Sequence, residues 1–244
     1  MNTKQLLSIF IILAVITGFT YALPGKAEDR GPLEKITFIH YKKGHAKPPW
    51  AGGGSGGGTL TCYGFLAKDA RWKTTEPFSI NPTNSQGMSE SLIVDSTLSG
   101  VSAWESPVSF NVFGNHAVDY NASYNNGNFD GINTLSFGGI SGSGTIGVTT
   151  VWGYFSGAPQ TRELLEWDML LDETDFAWGN ADSAPTKMDV QNIITHELGH
   201  SAGLGDLYET GCSEETMYGY STEGETKKRT IEAGDIAGMQ KLYK

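Results

Sequence analysis

The sequence predicts an α+β domain, a mixed, twisted sheet of about five strands with three main helices. The basis is the order of patterns along the chain. A helical stripe comes first, short strand-like runs punctuated by Gly and Asn follow, and two further helical segments separated by a loop close the chain. Nothing repeats at a fixed period, which sets solenoids and propellers aside.

The first residues are read as a targeting signal. Lys4 gives a positive start, residues 6–19 are apolar, and small residues stand at Ala22 and Ala27, a secretory pattern over residues 1–22 with cleavage as late as 27. The apolar run is short for a membrane span, so a secreted, extracellular protein without stable membrane insertion is expected. Residues 23–58 form an arm in which residues 35–42 alternate like a strand, and the run A-G-G-G-S-G-G-G at 51–58 reads as a flexible linker. The arm is either a removable propeptide or a loosely attached extension. The domain proper takes residues 59–244.

Within the domain, residues 78–81 are extended before Pro82, and residues 85–104 read as an amphipathic helix with Met88, Leu92, Ile93, Leu98, Val101 and Trp104 inward. Pro107 stops it. Strands are expected at 108–113, 134–137, 145–155 and 164–171. Pro185 leads into a helix over 188–203, with Val190, Ile194 and Leu198 on its core face. A last helix follows Thr230 as N-cap. Glu232 and Asp235 near its start and Lys241 and Lys244 near its end suit the helix dipole, and Ile236, Met239 and Tyr243 are its expected buried side.

The chain of 244 residues has a formal net charge of −10 and no basic block, which argues against nucleic acid as a partner. A monomer is expected. Of the two cysteines, Cys62 and Cys212, a bridge is the default in an oxidising compartment, and an inhibitory thiolate at Cys62 is the alternative. Asn121-Ala-Ser is a formal glycosylation acceptor. The acidic loops 172–175 and 180–182 could take Ca²⁺, or be merely solvated.

Residues 196–206 read H-E-L-G-H-S-A-G-L-G-D. Residues four apart share a helix face, so His196 and His200 can aim at one Zn²⁺, with Glu197 beside the metal as a general base. Gly203 can take the positive φ that turns the chain, bringing the Asp206 carboxylate round as third ligand. His116 is the other histidine within the domain that could fill that role. Three protein ligands leave a place for water, whereas a structural zinc site usually closes with four.

This run, with T-M-Y-G-Y at 216–220 and R-T-I-E-A-G-D-I-A-G-M-Q-K-L-Y near the end, resembles the matrixin-like branch of the metzincin zinc endopeptidases. D-G-I-N-T at 130–134 is also similar. The resemblance implies a metzincin-like fold and one catalytic zinc on His196, His200 and Asp206. It further implies Glu197 as base, Met217 in a tight turn beneath the metal, Tyr218 as a pocket wall, and protein or peptide substrates. The usual third ligand of the pattern is His, so Asp206 departs from it, and the site carries about one positive charge less. By the same resemblance an extended substrate would add to the strand at 145–155 through main-chain hydrogen bonds. No cysteine lies in residues 23–58, so an inhibitory arm would have to use another zinc ligand, such as Asp29, His40 or His45, each of which is otherwise simply a solvated side chain. The local motif leaves two other readings open, a noncatalytic zinc-binding module of the same fold and a zinc hydrolase of a nonpeptide substrate.

Overall fold

In the computed structural model, residues 30–45, 61–125 and 128–244 are described. The expected signal segment, Asp29 and the Gly-rich run lie outside them. Nine strands and three α-helices occur among the described residues: β1 (Glu34–Lys42), β2 (Glu76–Ile80), α1 (Glu90–Glu105), β3 (Phe113–Val118), β4 (Asn133–Gly138), β5 (Thr145–Tyr154), β6 (Glu163–Asp172), β7 (Trp178–Gly179), β8 (Met188–Asp189), α2 (Val190–Ser201), β9 (Tyr220–Ser221) and α3 (Ala233–Leu242). One sheet runs in the order β3-β2-β4-β6-β5-β1-β9, and β7 and β8 pair separately. β2 lies parallel to β3 and β4, and β4 parallel to β6, while β5 turns antiparallel on β6. The architecture is therefore the expected α+β with a mixed sheet. Its strand count exceeds five because the arm strand β1 and the two-residue β9 extend the sheet beyond β5.

Several boundaries move for identifiable reasons. Asn84 accepts the N–H groups of Gln86 and Met88 on its side-chain oxygen. That local turn holds 84–88 out of the helix, and Ser89 caps α1 instead. The strand expected at 108–113 lies at Phe113–Val118, because the alternating Val108, Phe110 and Val112 pack as a loop on the core, Phe110 stacking on Tyr243. α3 is capped by Glu232 in a reciprocal capping box with Asp235. Thr230, the expected cap, instead gives its carbonyl to the Thr216 hydroxyl.

The buried stripe of α1 is also smaller in volume than its pattern suggests, running through Ile93, Ser96, Thr97, Gly100 and Trp104. α1 and α2 approach closely enough that a Cβ on Gly100 would stand 2.9 Å from both Leu198 and Thr195 side-chain atoms. α2 itself is buried nearly all round. Its apolar side meets α1 and the core, and its histidine side is covered by β1, β5 and the loop at 216–221.

Candidate metal centre and active site

Asp189 starts α2 by accepting the Asn192 N–H, and Arg229 clamps the same carboxylate. The helix ends in a Schellman turn. Gly203 takes φ +102°, its N–H reaches the His200 carbonyl, and the Leu204 N–H reaches the Gly199 carbonyl. This reversal brings Asp206 back over the helix.

His196 Nδ1 lies 2.6 Å from the Thr216 carbonyl oxygen and His200 Nδ1 3.0 Å from that of Leu204. A carbonyl can only accept, so both Nδ1 atoms carry the proton and both Nε2 atoms are bare. Those Nε2 atoms stand 3.3 and 3.4 Å from Asp206 Oδ1. All three atoms are buried without a hydrogen-bond partner. Three lone pairs facing one another need a cation between them. Zinc ligands at about 2.0–2.1 Å in a tetrahedron stand roughly 3.3–3.4 Å apart, so the donor set fits zinc in type and spacing. Burial opposes charge on Asp206, so its carboxylate needs a cation beside it. Its other oxygen accepts from the Tyr208 hydroxyl at 3.2 Å. His116 sits exposed on β3, beside Phe78.

Glu197 is fully buried next to this set. The Thr149 hydroxyl of β5 donates to Oε2 at 2.6 Å, and Gly147 lets β5 come close, since a Cβ there would stand 3.3 Å from Oε1. Burial pushes the Glu197 carboxyl up to about 7, against the lowering effect of His200 and of Thr149. Beneath the helix, Met217 meets Gly199, where a Cβ would collide with its sulfur. The Thr216 and Met217 N–H groups donate to Asp235 of α3, which braces the turn from below.

The matrixin family model matches residues 71–244. The chain belongs to the matrixin family. No curated protein matches it. Matrixins are zinc-dependent endopeptidases, typically extracellular, and act on protein substrates. No helix among the described residues is long and apolar enough to cross a membrane.

In this matrixin His196, Glu197, His200 and Asp206 gather around the donor set with Met217 below the helix, while the Tyr218 ring packs on Tyr220. Cys62 and Cys212 form a disulfide with Cα atoms 5.3 Å apart, so Cys62 is no free thiolate. Among the described residues, the acidic loops gather no group of three close His, Cys, Asp or Glu ligands; Asn180 and Asp182 are engaged by Arg229. Sequence reasoning missed Thr149, Tyr208, Ser221 and Lys228. Lys228 is fully buried, and its ammonium donates to the Tyr218 and Tyr220 carbonyls and to the Ser221 hydroxyl. Burial lowers its pKa to about 8. A lysine within a surface-like K-K-R run gives no sequence signal of such a role.

The arm supplies the largest addition to the site. His45 stays outside, exposed and stacked on Tyr41, but His40 is buried with its Nδ1 3.0 Å from Glu197 Oε1 and its Nε2 3.0 Å from the Ser221 hydroxyl. Its ring lies 3.9 Å from that of His196, and Phe38 stacks on His200 at 3.8 Å with planes 6° apart. Burial first, with the Lys228 ammonium close by, keeps His40 far below its usual pKa and hence neutral.

Proposed function

We propose that this matrixin is a secreted zinc endopeptidase, with residues 1–22 as the signal, in which His196, His200 and Asp206 hold the metal and Glu197 is the general base. The carrying observation is the convergence of three bare, buried donor atoms beside the buried carboxylate of Glu197. When bound, zinc supplies Lewis acidity to the scissile carbonyl and to the attacking water. Glu197 takes one proton from that water and delivers it to the departing amine nitrogen as the C–N bond breaks. Thr149 holds the carboxylate in place by its hydroxyl. β5 offers its outer main-chain edge to an extended peptide, and Met217 floors the site while Tyr218 walls it.

Glu197→Ala tests the reading. Zinc content, measured by plasma mass spectrometry, should be retained, while cleavage of casein falls by roughly 10²–10⁴-fold, the usual contribution of a positioned acid–base group. Equal inertness of parent and variant on protein substrates, with full zinc and an accessible cleft, would favour the noncatalytic module. Loss of zinc from Asp206→Ala with retention in Asp206→His would support the ligand assignment.

A further inference from the structure

The outer edge of β5 is already taken. β1 pairs with it antiparallel, from Glu34 opposite Gly153 to Tyr41 opposite Thr145, and at its far end pairs parallel with β9. The arm thus lies where an extended peptide would add to the sheet, with alternate side chains directed inward. Phe38 covers His200 face to face, and His40 fills a slot between Glu197 and the floor made by Ser221 and Lys228. Both oxygens of Glu197 accept a hydrogen bond, one from His40 and one from Thr149, and the carboxylate is sealed from solvent.

We propose that β1 is a tethered pseudosubstrate: it occupies the peptide-binding edge and withholds Glu197, so that the full chain is latent until this strand leaves. The latch is a strand and an imidazole on the base, with no thiol involved. The inward residues also describe the class of peptide the cleft takes. It is an extended segment with a flat aromatic side chain over His200 and, two residues on, a side chain that accepts a hydrogen bond from Ser221 or Lys228. Because β1 is joined to the domain by the same chain, its effective concentration at the cleft is high, on the order of millimolar for a short linker, and a weak strand contact suffices to hold it.

This inference rests on the peptidase reading, and the test separates the two. In the full zinc-loaded chain, Phe38→Pro combined with His40→Ala removes a main-chain N–H on the β5 side of the strand and the contact to Glu197. Two quantities are read, affinity for a fluorescent peptidyl hydroxamate and the rate on a fluorogenic peptide. The double variant should bind the probe at least tenfold more tightly than the parent and cleave at least tenfold faster. A synthetic peptide of residues 33–43 should then inhibit it, and the same peptide with alanine at position 40 should be at least tenfold weaker. His40→Ala alone, which leaves the backbone pairing possible, serves if proline prevents folding, and should show the same changes to a smaller extent. Equal probe affinity in the parent and in every folded variant overturns the pseudosubstrate. Tighter probe binding without cleavage by any form supports the strand as occupant and sinks the peptidase reading instead.

Discussion

Asp206 is held by its neighbours in a definite sense, one oxygen toward the two imidazoles and the other on the Tyr208 hydroxyl. Tyr208→Phe removes that orienting bond while keeping the ring, and should weaken zinc binding by about 10–100-fold, as loss of a partner behind a ligand commonly does. Competition with a chromogenic chelator measures it, and unchanged affinity would show that the Leu204–Gly205 turn alone positions the carboxylate. The four residues of the centre were legible because a helix period and one glycine turn set their geometry locally. The groups that complete it were not. Thr149 and His40 stand 48 and 157 positions from Glu197, and only the sheet brings them there. Asp235 carried a real signal, an acid in the first turn of a helix, but the signal concerned the dipole, and its contacts with Thr216 and Met217 come from another loop altogether.

At the scale of elements, α2 is fixed at its start by Asp189, buried and clamped by Arg229. Burial opposes the charge, yet the Arg229 bonds and the Ala181 and Asn192 N–H groups outweigh it and hold this carboxyl below its usual range. A depressed folded pKa contributes stability that is present above the unfolded value of about 4 and lost as pH falls through the folded one. Asp189→Asn keeps a capping oxygen but loses the ion pair. It should cost roughly 1.5–3 kcal/mol at pH 7, the worth of hydrogen bonds to charged groups, with the deficit shrinking below about pH 4. Urea denaturation at a series of pH values reads this out, and a deficit independent of pH would assign the cost to packing. The long strands and the two main later helices were readable from period alone. The start of α1 and the place of β3 were not, because Asn84 and the Phe110 loop impose turns that outweigh hydrophobic spacing.

Across the whole molecule, the disulfide spans 150 residues and joins the first part of the domain to the loop beyond Asp206. Closing so long a loop restricts the unfolded chain strongly, so paired Cys62→Ser and Cys212→Ser substitutions should lower unfolding stability by about 2–5 kcal/mol. Equilibrium unfolding under oxidising conditions tests this, and an unchanged midpoint would place the constraint elsewhere. The arrangement of the arm on the domain was the least legible feature. Its alternation marked a strand, but pairing between segments that far apart leaves no trace in either one alone.

The β1–β5 ladder bears also on solubility. β5 is ten residues long and carries Ile146, Val148, Val151 and Trp152, all buried while β1 is in place. Once the arm leaves, this becomes a long, bare sheet edge, the kind of surface on which chains add to one another. The freed domain should therefore associate as its concentration rises, visibly by light scattering, while the full chain stays dispersed. Crowding at the point of release would then limit how much open enzyme can accumulate.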